Sequence, residues 1–468
     1  MKPRGGYNVP LGGRPGPEVE VLPDPDALHV PLAGRRLKFT DVRVRDGQAV
    51  RPGQVLAVDP ERYDVPLLAP RAGRVTVTNK ALVLRDLSQE QEEPYKGEQF
   101  DHAARAEAAG AAGAARRKLV DLGAWQFLRD AFSGQLPDPA GFPRAVVVTT
   151  MSYEPFSARG DVQVAKRLAS FTRGLEHIQG LLEHQPIYLA VPAAKSELAE
   201  QVRRTVRGYA YVKVVTIPRR YPLDHPALIA RRLGLRSRGG SIWSLGVAGV
   251  LAVDRAMTAS LPSTVRIVAV GGPGVSRPTH VKVCAGWPIR EILDACGAAG
   301  NVRVLMGGAL TGEAWSPEDQ PGLCGECTSL TVLRDEAPRK LFGWARPGWS
   351  RQSFSPHYVS RLRPSFTERL GTALGGERRA CVSCQLCERA CPAGIWPHLI
   401  HKHLLRGNVE RAAALRLDLC VECGLCSYVC PSKIELLDQF RAGRKAIAGM
   451  AAEQDGQTRE HARKEARQ

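Results

Sequence analysis

The residues of this chain best suited to chemistry are crowded towards its C-terminal end. Eight of twelve cysteines fall between 381 and 430, in two runs, CVSCQLCERACP (381–392) and CVECGLCSYVCP (420–431). Each run sets three cysteines three residues apart, a fourth after three intervening residues, and a proline behind it. C-x2-C-x2-C-x3-C-P is a spacing by which thiolates hold [4Fe–4S] clusters. Cysteines at i, i+3 and i+6 let one tight loop wrap three corners of a cube. The fourth lies too far along to close the same cube and reaches across to the other. The expected ligand sets are therefore crossed: Cys381, Cys384, Cys387 and Cys430 for cluster 1, and Cys420, Cys423, Cys426 and Cys391 for cluster 2. Pro392 and Pro431 suit the first turn of a helix begun by the fourth cysteine. Structural zinc also uses C-x2-C pairs, which gives an alternative in which metal holds together a non-redox scaffold. Zinc leaves the third cysteine, the proline and the duplication without a reason.

Between the motifs, residues 393–419 have room for two helices broken at Arg406-Gly407-Asn408. In PHLIHKHLL, Leu399 precedes His403 by four residues and Ile400 precedes Leu404 by four, which suits one packed helix face. His398, His401 and His403 read as packing or surface residues there rather than ligands. The remaining cysteines are Cys284, Cys296, Cys324 and Cys327. CGEC at 324–327 has the C-x-x-C spacing of a redox dithiol or half a zinc site. The TSLTVLRD behind it reads as a strand, not the helix a thioredoxin-type site needs. It is therefore expected to be a turn entering a strand, with both thiols free.

These motifs need a scaffold, and 468 residues suggest about three domains at roughly 150 residues each. Hydrophobic residues make up 44% of the chain and charged ones 24%, enough to bury ordinary cores. The formal charge of +18 is spread along the chain without a dense basic block, so nucleic acid is not the expected partner; docking to a membrane surface or an acidic partner is compatible with it. No apolar run approaches the ~20 residues of a membrane span. IWSLGVAGVLAV (242–253) is too short and reads as a buried element. The opening MKPRGGYNVPLGG lacks the apolar core of a secretory signal, which leads to an expectation of the cytosol and of reduced thiols.

Residues 38–85 alternate as short strands separated by turns at Asp46-Gly47, Pro52-Gly53 and Ala72-Gly73. DGQAVRPGQVLA followed by LLAPRAGRV resembles the lipoyl/biotinyl barrel-sandwich domain. The hairpin that presents the carrier lysine in that domain reads VDPERYDVP here and has none, so the fold is expected without the swinging arm. A polar, alanine-rich linker with helical content is expected over 92–118. Beyond it, AVVVTT, PIYLAVP and YVKVVTIP read as strands alternating with the helices GDVQVAKRLASFTRGLEHIQGLL and LAEQVRRTV, the pattern of a parallel sheet. Residues 262–297 run strand, Gly/Pro turn, strand, helix, like a small β-grasp module. The charged stretch 455–468 is expected to fray. The expected class is therefore multidomain α/β and α+β: a barrel-sandwich hybrid over 1–90, a Rossmann-like α/β domain over 119–255, a β-grasp (SLBB-like) module over 256–340, and an α-helical, bacterial-ferredoxin-like 2[4Fe–4S] domain over 365–450.

That order of domains resembles RnfC, from the Rnf ferredoxin:NAD oxidoreductase, and its relative NqrA, from the sodium-translocating NADH:quinone reductase (Nqr), over most of the chain. GYNVPLGGRPG (6–16), SYEPFSARGDVQV (152–164), IVAVGGPGVSRPTHV (267–281) and LFGWARPG (341–348) are similar to NqrA. VVTIPRRYP (214–222), VLMGGALTG (304–312) and the eight cysteines are similar to RnfC. In RnfC, a Gly-rich loop cradles FMN and NADH phosphates, which needs close backbone approach and free N–H groups. The matching stretch here, DLGAWQFLRDAFSGQ (121–135), carries Trp125, Phe127 and Arg129 where glycines are needed, so neither FMN nor NAD is expected. Glu154 stands where flavin-binding relatives place an acid before proline, and is read as structural. NqrA lacks the loop but has lost its cluster cysteines, which this chain keeps.

The resemblance implies an oxidoreductase subunit on the cytoplasmic face of the inner membrane. It would relay single electrons through two [4Fe–4S] clusters between a soluble donor or acceptor and integral-membrane subunits, with quinone a possible ligand. An NADH- and FMN-binding dehydrogenase subunit is the alternative. No catalytic side chain is singled out.

Overall fold

The computed structural model describes residues 5–88, 94, 110–182, 185–193, 197–235, 240–318, 321–334, 380–432 and 434–465, without the side chains of 110–111 and 451–465. Most of the linker at 92–118, the LFGWARPG stretch and residues 365–379 lie outside the described residues. The chain forms two units: one comprises 11–219 and 223–335, the other 1–10, 220–222 and 336–468.

The larger unit is rich in sheet. After β1 (Val19–Val21) come β2 (Leu28–Pro31), β3 (Asp41–Val42), β4 (Ala49–Val50), β5 (Val55–Asp59), β6 (Val65–Leu68), β7 (Ala72–Val77) and β8 (Ala81–Ser88). They form two antiparallel sheets, ordered β2-β8-β7-β4 and β3-β5-β6. Inward residues of both, such as Leu28, Val75 and Leu84 from one and Leu56 and Val65 from the other, join one apolar core. Gly47 and Gly53 turn the chain at φ +75° and +77°, as their dipeptides predict. Ala72-Gly73 differs from expectation. It is a bulge within β7, where Gly73 lies so close to Arg85 O that a Cβ would stand 2.6 Å from it. At the VDPERYDVP tip, the Asp59 carboxylate accepts from Glu61 N at 3.1 Å and Lys38 N at 2.7 Å, which closes a short 3-10 turn.

The third sheet contains β9 (Arg129–Asp130), β10 (Pro143–Thr149), β11 (Ile187–Pro192), β12 (Val212–Ile217) and β13 (Ser241–Gly246), in the order β12-β11-β10-β13-β9. All are parallel except the edge strand β9. β10 is buried on both faces: Val146 and Val148 enter the main core, Ala145 and Val147 a second one. Double burial explains the unbroken apolar run of AVVVTT. The IWSLGVAGVLAV stretch is the end of β13 and the start of the helix Val247–Ala259. Because β10 is flanked by β11 and β13, the chain's course reverses at its carboxyl end, the place where sheets of this kind form crevices.

The fourth sheet joins β1 to β14 (Val265–Gly271), β15 (Thr279–Cys284), β16 (Val302–Met306), β17 (Glu313–Ala314) and β18 (Ser329–Arg334), ordered β1-β15-β14-β18-β16-β17. The hairpin β14–β15 and the helix Ile289–Ala295 follow the predicted strand, turn, strand, helix order, and β18 returns parallel to β14.

The smaller unit is helical: Leu386–Ala390, Pro397–Leu405, Val409–Ala414, Leu425–Tyr428 and Leu436–Glu465. Gly407 at φ +72° breaks the chain where predicted, and Asn408 caps the next helix by accepting from Arg411 N at 3.0 Å. The last helix runs on to Glu465 instead of ending before the charged stretch. Among the described residues, no helix is long and apolar enough to cross a membrane.

Candidate functional site: two cavities lined by cysteine

The two cysteine motifs lie 39 residues apart, and their backbones repeat at the same offset. Ser383 and Gln385 in the first motif are left-handed, with φ +54° and +61°; Glu422 and Gly424 in the second match them at +52° and +72°. Two left-handed residues among three cysteines coil each loop, so that alternate bends aim the thiols inward instead of along a helix face. A short helix follows each loop, Leu386–Ala390 and Leu425–Tyr428. The fourth cysteine does not begin a helix as expected. Cys391 ends the first of these helices, and Pro392 and Pro431 lie in turns; the proline that opens a helix is Pro397.

Two cavities result. One is lined by Cys381, Cys384, Cys387 and Cys430, the other by Cys391, Cys420, Cys423 and Cys426. Electrostatics trace the same groups. Burial, with Cys384, Cys430 and Cys381 adding to it, pushes the Cys387 thiol up to about 12. Burial, with Cys391 adding to it, lifts Cys420 to about 11. Cys426 is pushed well up by burial and then by Cys423, Cys420 and Cys391, and it also feels Cys387 from the other group. Buried thiols that repel one another as thiolates call for a cationic centre. Among the described residues, no three His, Cys, Asp or Glu converge on a single point as one metal ion needs. A cubane spreads its four ligands over four irons, and this donor set fits that chemistry.

The surroundings differ between the two cavities. His398 and His401, expected only to pack, are buried and line the first one. His401 Nδ1 is bonded to Gln439 Oε1 at 2.6 Å, and His398 Nδ1 lies 3.6 Å from Glu388. Only their place beside Ile400 on the buried helix face hinted at this. Around the second motif, Glu422 N donates to Cys420 Sγ at 3.4 Å. Its carboxylate is held by Arg444 at 2.7 Å and Arg441 at 3.3 Å. Arg444 also donates to Cys420 O at 3.1 Å.

Distant pieces of chain seal this unit. Gly6 N donates to Ala390 O at 3.0 Å, and Tyr7 stacks on Tyr428 with centroids 6.3 Å apart. The Tyr221 hydroxyl donates to Cys423 O at 2.7 Å. Gly5, at φ +65°, lies so close to Cys391 that a Cβ would sit 2.4 Å from its carbonyl oxygen. The GYN and RRYP stretches singled out in the sequence therefore serve the cluster loops.

In the larger unit, the residues that replace a Gly-rich loop are packed side chains. Trp125 is fully buried, donates to Pro137 O at 2.9 Å and meets Trp243 edge-on at 5.2 Å. Arg129 is paired with Glu326 at 3.0 Å. Glu154 follows β10 and is half-buried. Its carboxylate accepts from Thr311 N at 2.8 Å, Leu310 N at 3.1 Å and the Thr311 hydroxyl at 2.9 Å. Burial raises its pKa against those bonds. It also lines a cavity of about 790 Å³.

The family model described as the NqrA second alpha/beta domain matches residues 111–259, and that of a 4Fe-4S dicluster domain matches residues 380–435. NqrA of the Na(+)-translocating NADH-quinone reductase from Photorhabdus laumondii is 27% identical over 437 residues, covering 89% of this chain and 91% of its own. Its counterpart from Shewanella frigidimarina is 28% identical over 430 residues, covering 88% and 91%. Among solved structures, an NAD+-reducing [NiFe]-hydrogenase superposes with a TM-score of 0.42 at 14% identity, over 71% of this chain and 64% of that one, too loosely to carry an argument.

Proposed function

We propose a function for a chain that joins an NqrA-type domain to a 4Fe–4S dicluster domain and is related to NqrA along most of its length. It is an electron-transfer subunit of an Nqr/Rnf-like oxidoreductase complex. In our reading, Cys381, Cys384, Cys387 and Cys430 hold one [4Fe–4S] cluster and Cys420, Cys423, Cys426 and Cys391 the other. The observation that carries this reading is the pair of cavities, each drawing three cysteines from one motif and the fourth from the other. Each cluster, when bound, accepts and gives one electron at a time. The protein orients four thiolates per cluster, shields them by burial, and sets their electrostatics with Glu422, Arg441 and Arg444 on one side and the two histidines on the other.

Finer points of the reading follow from the relatives' names and from the strand orders. The two antiparallel sheets support a barrel-sandwich hybrid over 1–90. The β12-β11-β10-β13 order supports a Rossmann-like domain over 119–255, and the β15-β14-β18-β16 order a β-grasp, SLBB-like module over 256–340. The clusters would connect a soluble donor or acceptor with integral-membrane subunits from the cytoplasmic face of the membrane, with quinone as a ligand on the membrane side. Iron and acid-labile sulfide analysis of anaerobically isolated protein tests the core of this. About eight irons and eight sulfides per chain are expected for two cubanes; protein holding about two zinc ions and no sulfide would refute it.

A further inference from the structure

The cavity of about 790 Å³ in the larger unit has a feature that electron relay through the clusters does not use: Cys324 and Cys327 both line it. We propose that Cys324 and Cys327 are a redox-active dithiol that exchanges with small disulfides bearing carboxylates.

The turn supplies the geometry. Cys327 N donates to Cys324 O at 3.1 Å, folding the two cysteines back on one another just before β18. The thiols are within hydrogen-bonding reach of each other, and the Cys327 S–H can also turn to Ser329 O at 3.2 Å. Adjacent thiols on a closed turn can become a disulfide with little backbone movement. Each keeps a little exposure, 9% for Cys324 and 6% for Cys327. The other two cysteines outside the cluster motifs provide the contrast. Cys284 and Cys296 belong to the same apolar core but are only 2% and 0% exposed, and burial pushes both up to about 11, as for inert structural thiols.

The two thiols are also unequal, as an attacking and a resolving thiol need to be. The hydrogen bond from Cys327 draws Cys324 down against burial, and the same bond pushes Cys327 well up. Next to them is the buried guanidinium of Arg266, which donates to Gly325 O at 2.9 Å and Ser263 O at 2.7 Å and lies 4.3 Å over the Phe127 ring. Cys324 favours its charge, as do Cys284 and Glu326, while Glu326 opposes the Cys324 thiolate. A fixed cation beside a thiol is the usual way to hold thiolate.

The walls select charge. Arg36, Lys38 and Lys80 line the cavity along with Arg35. The acids there are already engaged: Glu154 by the Leu310–Thr311 backbone, Glu313 by Arg35 at 3.3 Å, and Glu326 by Arg129 at 3.0 Å and by Arg36 N at 2.9 Å. The balance favours an anionic guest.

The exchange balances without any other reactant. Cys324 thiolate attacks one sulfur of RS–SR, forming Cys324–S–S–R and releasing RS⁻. Cys327 then gives up its proton, which RS⁻ takes, and attacks the Cys324 sulfur, expelling the second thiolate, which takes a proton from solvent in place of the one Cys324 gave up. The small disulfide is reduced to two thiols and the pair is oxidised to a disulfide; excess thiol reverses it.

The test uses the full chain with its clusters assembled, held anaerobically in glutathione buffers of graded ratio, blocked by alkylation and read peptide by peptide by mass spectrometry. The 324–327 pair is expected to oxidise while Cys284 and Cys296 stay reduced. Cys327→Ser is expected to trap glutathione on Cys324, and Cys324→Ser to trap none on Cys327. A native chain whose pair stays reduced at every ratio, or reacts no faster than Cys284, overturns the proposal even if the serine variants fail to fold. The double variant Arg36→Ala with Lys38→Ala should slow oxidation by glutathione disulfide roughly three- to tenfold and leave oxidation by uncharged hydroxyethyl disulfide unchanged. Equal slowing with both reagents overturns the charge selection.

Discussion

The helical unit and the sheet-rich unit place cysteines beside cavities by opposite means. In the helical unit, two loops related by a 39-residue offset coil on matched left-handed residues, and each supplies three of the four cysteines that line one cavity. In the sheet-rich unit, the cavity needs the β2–β3 connection, the loop after β10, and the β16–β18 region together. The bond from Arg36 N to Glu326 closes a sequence separation of 290 residues. Local geometry thus gathers three cysteines of each set, whereas the cavity of the larger unit is built only once that whole unit has folded.

The sharpest way to break this comparison is to remove the one non-local ligand of each cluster. In Cys391→Ala, the cluster built mainly from the second motif should be lost, with iron falling from about eight to about four per chain. In Cys430→Ala, the cluster built from the first motif should go instead. Low-temperature EPR of the two reduced variants distinguishes the survivors. If each variant loses the cluster of its own motif, the ligand sets are not crossed.

The next effect tests how strongly the sheet-rich unit depends on distant packing. Asp224 is half-buried, accepts from Tyr153 N at 2.8 Å, and leaves its other oxygen, the buried Oδ1, without a hydrogen-bond partner. Burial raises its pKa from 3.8 to about 7. The folded carboxyl therefore keeps its proton where the unfolded one has released it. Unfolding releases a proton between about pH 4 and 7, and stability falls as pH rises through that window. A shift of this size is on the order of 4 kcal/mol at most. Asp224→Asn keeps an acceptor for Tyr153 N and should flatten the fall, measured by urea unfolding at pH 5 and pH 8. An unchanged slope would show that the carboxyl does not carry it.

A smaller loss is expected at Gly308, where a Cβ would stand 2.1 Å from the Glu154 carboxyl carbon. Gly308→Ala should cost roughly 1–3 kcal/mol through overpacking and widen or shift the loop that carries Thr311. Thermal unfolding of the chain checks it, with cluster absorbance expected to be unaffected before the transition. Loss of the clusters along with the stability would mean the two regions are not built independently.

These differences explain what the sequence revealed. The grouping of the cysteines around two cavities was legible because each motif fixes three of them by spacing alone. The parallel sheet was legible because β10 is buried on both faces and shows it as AVVVTT. The helix break at Gly407 was equally local. The bulge at Gly73 looked like a turn because alanine-glycine gives the same signal for both, and only the approach of Arg85 O distinguishes them. The helix after each fourth cysteine was misplaced because proline marks a first turn and a non-helical turn alike. His398 and His401 could not be assigned, since an amphipathic pattern says which face is buried but not against what. The CGEC thiols were correctly expected before a strand, yet the cavity beside them arises from segments that share no pattern.

The finest comparison lies within the helical unit, where the two loops differ in charge at one matched left-handed position: Ser383 in the first, Glu422 in the second. Ser383 Oγ accepts from Lys402 at 2.9 Å, whereas Glu422 carries a carboxylate clamped by Arg441 and Arg444 next to Cys420. A negative charge near cluster sulfur makes adding an electron harder. Glu422→Gln removes that charge and leaves both arginines, so the midpoint potential of the cluster held by Cys420, Cys423, Cys426 and Cys391 should rise, on the order of tens of millivolts through a partly solvated medium. The other cluster should stay in place, because its matched position carries no charge to begin with. Redox titration followed by EPR reads both at once. A fall in potential, or an equal rise in the two clusters, would mean that Glu422 acts through the fold of the unit and not through its charge.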